Sequence, residues 1–143
     1  MKIGIMGGTF NPIHNAHLLI AEMAREEYGL DRVIFITDGN PPHKSANVTA
    51  KQRFEMTHIA IADNSAFEED DFEINRSEKS YTVNTLGYLK EKYPNNDLFF
   101  IIGEDSLNDF DKWYKPDKIL EMCSLLVFPR KSLKSLTETI KAV

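Results

Sequence analysis

Short apolar runs alternate with amphipathic segments along the chain, and this pattern predicts strands that alternate with helices. Continuous apolar runs indicate strands buried on both faces, and i, i+3, i+4 spacing indicates helices. The predicted strands are Lys2–Met6, Arg32–Thr37, Asp71–Asn75, Leu98–Ile102 and Leu125–Phe128. The predicted helices are Ala16–Tyr28, Ala50–Asp63, Thr82–Tyr93 and Pro116–Met122. The order predicts an α/β fold, a Rossmann-like doubly wound parallel sheet of about five strands with flanking helices, in one domain over residues 1–143.

Local signals support these boundaries. Gly29 ends the first helix, a capping box begins at Thr49, and Pro94 closes the third helix. The acidic stretch 68–71 is interpreted as a solvated loop, and Cys123 as a core residue.

Composition and charge limit the classes of partner. With 143 residues and 42% hydrophobic content, the chain can bury one core. A formal charge of −5 argues against nucleic-acid binding and favours small partners, while homo-oligomerisation stays open. One cysteine excludes an internal disulfide framework. The sequence shows neither an apolar stretch of membrane-spanning length nor a signal-peptide pattern. We therefore expect a cytoplasmic protein.

A glycine turn follows the first predicted strand and leads into the first predicted helix. It reads Gly7-Gly8-Thr9-Phe10-Asn11-Pro12-Ile13-His14-Asn15-Ala16-His17. Backbone N–H groups and the positive end of a helix dipole converge at such a turn, which predicts a phosphate site with His14 and His17 as added donors. A zinc site is the less favoured alternative, because Cys123 stands alone and His43 and His58 are scattered. A plain turn with incidental histidines is the other alternative.

Two further loops carry candidate ligands for a phosphate or a carboxylate. Asp38 opens the loop after the second strand, and a Pro-Pro-His segment then holds Lys44 outward. That cation suits a phosphate, although a solvated loop lysine is the commoner explanation. Ser80 or Thr82 could cap the third helix with a hydroxyl, and the same helix entrance offers free N–H groups to a carboxylate.

The fourth strand ends at a glycine, and the one tryptophan follows it. Gly103 would admit a flat base, and Asp105 could either accept from ribose hydroxyls or cap the next helix. Ser106 follows directly. Trp113 is either a half-buried plug or a stacking face for a ring, and the neighbouring loops favour stacking.

These blocks resemble, in order and spacing, those of bacterial nicotinate mononucleotide adenylyltransferases. Residues 7–17 fill every fixed position of the signature Gly-Gly-Thr-Phe-x-Pro-x-His-x-x-His of nucleotidyltransferases related to the His-x-Gly-His superfamily, with Ala16 where glycine is usual. The other blocks are Pro41-Pro42-His43-Lys44, Ser80-Tyr81-Thr82 with Thr85-Leu86, Gly103-x-Asp105-Ser106 and Trp113-Tyr114-Lys115. The resemblance spans nearly the whole chain. It implies transfer of AMP from ATP to nicotinate mononucleotide in NAD biosynthesis, with Mg²⁺ accompanying ATP, and release of pyrophosphate.

The resemblance also implies a role for each matched residue. His14 and His17 would be catalytic. The nucleotide-binding residues would be Gly8, Thr9, Phe10, His14, His17, Gly103, Asp105 and Ser106. The residues that bind the mononucleotide would be Asp38, Lys44, Thr82, Trp113, Tyr114 and Arg130, and none would bind a metal. Thr82 would receive the nicotinate carboxylate and Trp113 the ring, and catalysis would consist of positioning and charge stabilisation because the mononucleotide phosphate attacks directly.

The chain departs from the family pattern at three points. Asn84 stands where an aspartate is common, Asp38 where an asparagine is often seen, and no Ser-Ser-Thr-x-Ile-Arg block follows Arg130. In the family that block supplies a helix N-terminus and a cation at the ATP phosphates, so we expect a truncated form without the C-terminal part of the fold. A tail of helical spacing takes its place, at Leu133, Leu136, Ile140 and Val143.

Other functions stay open on the sequence alone. Transferases that use nicotinamide mononucleotide, pantetheine phosphate or a cytidylyl donor share the first motif and should differ around Thr82 and Trp113. A nucleotide-binding module without turnover would keep the same loops. A purely structural domain is the least favoured alternative.

Overall fold

Strands and helices alternate along the chain in the order that the sequence predicts. A computed structural model describes residues 1–8, 10, 13–39, 49–75, 81–129 and 141–142. The strands are β1 (Lys2–Gly8), β2 (Arg32–Thr37), β3 (Phe67–Asp70), β4 (Asp97–Gly103), β5 (Ser124–Phe128) and β6 (Lys141–Ala142). The helices are α1 (Asn15–Tyr28), α2 (Ala50–Ile61), α3 (Thr82–Lys92), α4 (Glu104–Asn108) and α5 (Pro116–Met122), with a 3₁₀ turn over Phe110–Lys112.

The strands form one sheet in the order β3-β2-β1-β4-β5-β6. The first five are parallel, which confirms the predicted doubly wound fold, and β6 adds a short antiparallel strand beside β5. The chain moves outward from β1 to β3 and then returns to the other side of β1 at β4. Open α/β sheets bind ligands at such a switch point, in the crevice beyond the strands' carboxyl ends.

Each face of the sheet packs against its own pair of helices. On one face, Phe35 and Ile101 lie in a cluster with Ala21 and Ala24 of α1 and Ile61 of α2. The opposite face packs against α3 and α5. Its buried members include Ile5, Ile34, Phe100, Leu86, Leu89 and Ile119. The strands are therefore buried on both sides, as their continuous apolar runs predict.

The third strand lies earlier in the chain than predicted. It covers Phe67–Asp70, so the predictions of a strand over 71–75 and of a solvated acidic loop from Glu68 are wrong. Asp70 is only 4% exposed, because its carboxylate accepts from Tyr88 Oη and Lys92 Nζ, both at 2.9 Å. Partners distant in sequence thus make a polar strand possible, and hydropathy does not reveal them.

Several helix ends also differ from prediction. Tyr81 precedes α3 without a side-chain cap and Thr82 is its first residue, while Ser80 lies outside the described residues. Asp105 lies within α4, whose N-cap is Gly103, so it does not cap that helix. In the predicted helical tail, 131–140 and 143 lie outside the described residues, and Lys141–Ala142 is a strand. None of the helices within the described part of the chain has the length and apolar character needed to cross a membrane.

Candidate active site at the carboxyl edge of the sheet

The turn after β1 is held in place by a buried aromatic ring. Phe10 has φ +49 and is 3% exposed, and its ring lies 6.1 Å from Phe35 and 5.2 Å from His17 between centroids. A Cβ on Gly8 would lie 2.9 Å from Phe10 Cε1, so this position requires glycine. The Phe10 side chain therefore belongs to the core, and its backbone is the part that can face a ligand.

His14 and His17 cap α1 reciprocally. His14 is the N-cap residue, and its Nδ1 accepts from the backbone N–H of Ala16 at 3.2 Å. Nδ1 of His17 accepts from the backbone N–H of His14 at 3.1 Å. Such a pair satisfies N–H groups that a helix start otherwise leaves without partners. Sequence reasoning placed both histidines at this entrance, but it did not predict that they cap it.

This cap fixes the proton position on both rings. An Nδ1 atom that accepts a hydrogen bond carries no proton, so we assign the proton of each neutral imidazole to Nε2. The ring centroids lie 4.0 Å apart. Burial and, secondarily, the neighbouring His14 hold the pKa of His17 below its ordinary value of 6.5, which favours the neutral ring. The entrance of α1 thus carries two Nε2–H donors beside a helix N-terminus.

A cavity of about 250 Å³ lies between the carboxyl ends of β1 and β2 and the start of α3. We call it the Thr82 cavity. Its described lining residues are Ile5, Gly7, Gly8, Ile36, Asp38, Glu73, Thr82, Thr85, Leu86 and Phe100. Three predicted site residues, Gly8, Asp38 and Thr82, therefore share one space.

Backbone contacts fix the wall of the Thr82 cavity that contains Asp38. The Asp38 N–H donates to the Gly8 carbonyl at 2.9 Å, and the Asp38 carbonyl accepts from Nη1 of Arg53 at 2.7 Å. Arg53 is 2% exposed, and burial lowers the pKa of its guanidinium. A Cβ on Gly39 would lie 2.1 Å from the Glu73 carbonyl oxygen, so the loops after β2 and β3 touch through their backbones.

A second cavity, of about 360 Å³, lies beyond the ends of β1, β4 and β5. We call it the Gly103 cavity. Its described lining residues are Met6, Gly7, His17, Phe100, Ile101, Ile102, Gly103, Glu104, Asp105, Ser106, Trp113 and Phe128. The predicted nucleotide-binding residues Gly103, Asp105 and Ser106 thus share this space with His17.

Trp113 lines the Gly103 cavity, whereas Thr82 lines the other one. The half-buried indole packs against Phe110 and Phe100, at 5.0 and 6.0 Å between ring centroids. The indole of Trp113 thus packs in the core on one side and lines the Gly103 cavity with its remaining surface. Phe100 lines both cavities and packs against Trp113.

Tyr114 lies on the surface beside the start of α3. Its ring is 4.6 Å from that of Tyr81, and the Lys115 ammonium lies 5.2 Å from its centroid. Three other predicted site residues, Thr9, Lys44 and Arg130, lie outside the described residues. Sequence reasoning missed Gly39, Arg53 and Glu73. These residues fix the position of the loops around the Thr82 cavity through contacts between distant parts of the sequence, which no local sequence pattern indicates.

Within the described residues, no group of three or more His, Cys, Asp or Glu side chains could hold a metal ion. His58 instead contacts Glu69 through Nδ1 at 2.8 Å, on an exposed surface of α2.

Comparisons with known proteins agree with this architecture. The cytidylyltransferase-like family model matches residues 5–142. The chain is 47% identical, over 98% of its length, to the "Probable nicotinate-nucleotide adenylyltransferase" of Citrifermentans bemidjiense, and 51% identical over 91% to the protein of that name from Pelobacter propionicus. It spans 67% and 61% of the length of these two relatives, or about two thirds.

A solved structure agrees at the level of fold. It is the Plasmodium falciparum nicotinic acid mononucleotide adenylyltransferase complexed with NaAD, with a TM-score of 0.79 and 24% identity, over 94% of this chain and 69% of that one. The chain therefore belongs to the cytidylyltransferase-like family of nucleotidyltransferases. Within it, the resemblance to nicotinate-nucleotide adenylyltransferases drawn from the motifs is confirmed by the relatives that carry this name.

Proposed function

We propose that this chain carries the site for adenylyl transfer from ATP to nicotinate mononucleotide, which forms nicotinate adenine dinucleotide and pyrophosphate. The observation that carries the proposal is the reciprocal cap of His14 and His17, because it engages both Nδ1 atoms and leaves the Nε2–H group of each ring as a donor at a helix N-terminus. The names of the sequence relatives supply the substrate.

The chemistry asks for little beyond positioning and charge stabilisation. An oxygen of the mononucleotide phosphate attacks the α-phosphorus of ATP, the bond to the bridging oxygen breaks, and pyrophosphate leaves with the electron pair. Negative charge grows on the phosphate oxygens, and the Nε2–H groups of His14 and His17 donate to them. Donors that are already oriented need no reorganisation during the reaction. Thr9, Lys44 and Arg130 would add backbone and cationic contacts to the phosphates.

Each substrate would occupy a different cavity. ATP would place its adenosine in the Gly103 cavity, with the ribose at Asp105 and Ser106 and the phosphates at His17, which lines the same cavity. The mononucleotide would place its carboxylate at Thr82, where the first turn of α3 presents N–H groups. Trp113 and the Tyr114 backbone would contact the nicotinate ring beside Phe100, which lines both cavities. We propose that magnesium enters with ATP as part of the substrate complex, where it neutralises phosphate charge.

Pyrophosphate release tests this function. The chain is incubated with ATP and, in turn, with nicotinate mononucleotide, nicotinamide mononucleotide or pantetheine phosphate, and CTP replaces ATP in a parallel series. A second protein adds the C-terminal sequence of a relative. We expect release with ATP and nicotinate mononucleotide, and at least about a hundredfold faster turnover in the extended protein, the scale of one charge-stabilising group. Equal turnover of the two proteins would contradict the role given to the late block.

A nucleotide-binding module without turnover is the second candidate, because the two cavities could hold a nucleotide without a reaction following. It predicts binding of ATP with no pyrophosphate release from either protein.

The acceptor preference has its own test in the fluorescence of Trp113. Nicotinate mononucleotide should quench it at lower concentration than nicotinamide mononucleotide, because the neutral amide leaves the donors at Thr82 without an anion. Equal titrations would favour a different acceptor.

A further inference from the structure

Arg53 carries a charge into the interior of the protein, near the start of α2. The residue is 2% exposed. An apolar side chain of similar volume would fill this space without the cost of removing a charge from water, so packing alone does not require an arginine here. The guanidinium has a specific contact, because its Nη1 donates to the carbonyl of Asp38, which lines the Thr82 cavity, at 2.7 Å. Arg53 therefore joins α2 to a wall of that cavity.

Three contacts hold Asp38 and Gly39 where they follow β2. The Asp38 carbonyl accepts from the Arg53 guanidinium of α2. The Asp38 N–H donates to the Gly8 carbonyl at 2.9 Å. A Cβ on Gly39 would lie 2.1 Å from the carbonyl oxygen of Glu73, whose Oε2 accepts from a hydroxyl of α3 at 2.6 Å. The start of the connection from β2 to α2 is thus tied to both α2 and α3.

We propose that Arg53 is a positioning residue for the acceptor, because it holds the start of the β2–α2 connection at the Thr82 cavity. This inference rests on the proposed function, in which Asp38 and Lys44 of this connection bind the mononucleotide together with Thr82. A guanidinium stays protonated at any working pH, and a charged donor forms a stronger hydrogen bond than a neutral one. Without it, the Asp38 carbonyl loses this donor, and the segment that leads to Lys44 loses this link to α2.

The nucleotide side of the proposed site has separate support. The buried Phe10 ring supports the turn after β1, and the reciprocal histidine cap supports the start of α1. The described lining residues of the Gly103 cavity include neither Asp38 nor Arg53. Loss of the Arg53 contact should therefore weaken binding of the mononucleotide and leave binding of ATP nearly unchanged. A general loss of structure would weaken the binding of both.

Titration calorimetry with this chain measures that difference. Nicotinate mononucleotide and ATP are titrated separately into wild type, Arg53→Met and Arg53→Lys. Methionine has no donor, so Arg53→Met should raise the dissociation constant of the mononucleotide about tenfold, the scale of one hydrogen bond from a charged donor. The dissociation constant of ATP should change less than about twofold. Arg53→Lys keeps a charged donor without the planar fork, so it should raise the first constant only about threefold.

Thr57→Val is the matched control in the same helix. Thr57 is fully buried, and its hydroxyl donates to the Arg53 carbonyl at 3.0 Å, so this variant should lower the melting temperature and keep both dissociation constants. Equal weakening of the two ligands by Arg53→Met, an unchanged affinity for the mononucleotide, or the same loss in Thr57→Val would overturn the inference and leave the proposed function standing. If Arg53→Met does not fold, Arg53→Lys decides by the same criteria. If wild type does not bind nicotinate mononucleotide, the proposed function fails, and the inference fails with it.

Discussion

Two helices begin at neighbouring strand ends, at the carboxyl edge of the sheet, and they begin differently. Helix α1 follows β1, contains 14 residues and starts with two histidines that cap each other's backbone. Helix α4 follows β4, contains 5 residues and starts at Gly103 with no side-chain cap. Both entrances reach the Gly103 cavity, since His17 and Asp105 line it together.

The difference corresponds to what each entrance is proposed to contact. Charge changes on the phosphates during the reaction, and donors there are most effective when they are oriented beforehand. In the proposed site adenosine would only be bound, so the contacts of α4 would act equally on the ground state and the transition state. We infer that fixed geometry is concentrated at β1–α1, and the predictions below test this contrast.

The largest effect is expected for His17→Ala. Loss of the Nε2–H donor should lower turnover by a factor of about a hundred to a thousand, or about 3 kcal/mol of barrier, with the fold retained. Ser106→Ala, at the other entrance, should lower turnover less than about tenfold, because it removes a binding contact. Pyrophosphate release in the extended protein measures both, and near-normal turnover of His17→Ala would remove the contrast.

Glycine-to-alanine substitutions compare the two strand ends. Gly8→Ala should lower the free energy of unfolding by about 1–3 kcal/mol, because its Cβ would lie 2.9 Å from the buried Phe10 ring. Gly103→Ala should stay within about 0.5 kcal/mol of wild type, since its Cβ would meet Phe128 at an ordinary 3.5 Å. Urea unfolding curves decide between them. Equal losses at the two sites would show that both turns are equally constrained.

His14 offers a way to separate capping from catalysis. His14→Ala should lose about 1 kcal/mol of stability because the N-cap acceptor is gone, whereas His14→Ser keeps an acceptor and should lose little. Both variants lack the Nε2–H donor, so both should lose turnover. Thermal unfolding and pyrophosphate release are measured on the same samples. If serine restored turnover, the imidazole would be a cap and nothing more.

The smallest effect is a pH dependence of stability from His17. Its pKa in the folded chain lies below 6.5, so below pH 6.5 the unfolded chain takes up a proton that the folded chain does not. The stability that neutral His17 contributes is therefore fully present above pH 6.5, and it is lost as pH falls toward the folded pKa. Melting temperatures across this window should fall more in wild type than in His17→Gln. If the melting temperatures of wild type and His17→Gln fell equally with pH, the lowered pKa of His17 would be contradicted.

Much of this molecule is predictable because its strands and one turn have strong local signals. Strands β1, β2, β4 and β5 have apolar runs, and the motif with His14 and His17 predicts where α1 begins. Strand β3 is different, since three of its four residues are acidic. Its burial depends on Lys92 and Tyr88, and such long-range contacts have no signature in a window of sequence.

The candidate site shows the same limit. The motif predicts which residues gather at the carboxyl edge, but not that Trp113 and Thr82 line separate cavities, because that depends on where Phe100 lies. The sequence did not predict a role for Glu73 or Gly39, because their role depends on a backbone contact between the loops after β2 and β3. Backbone proximity of this kind follows from the packed sheet and not from residue type.

Strand β3 has a consequence for how the protein behaves in concentrated solution. It lies at one edge of the sheet, and an edge strand exposes backbone groups that another chain can pair with. Here the edge has 4 residues, Phe67–Asp70, so it offers few backbone groups to a second chain. The side chains of Glu69 and Asp70 are buried and contact His58 and Lys92, and Glu68 pairs with Arg32. The short length of the strand, and not a row of free charges, therefore limits edge-to-edge pairing between molecules.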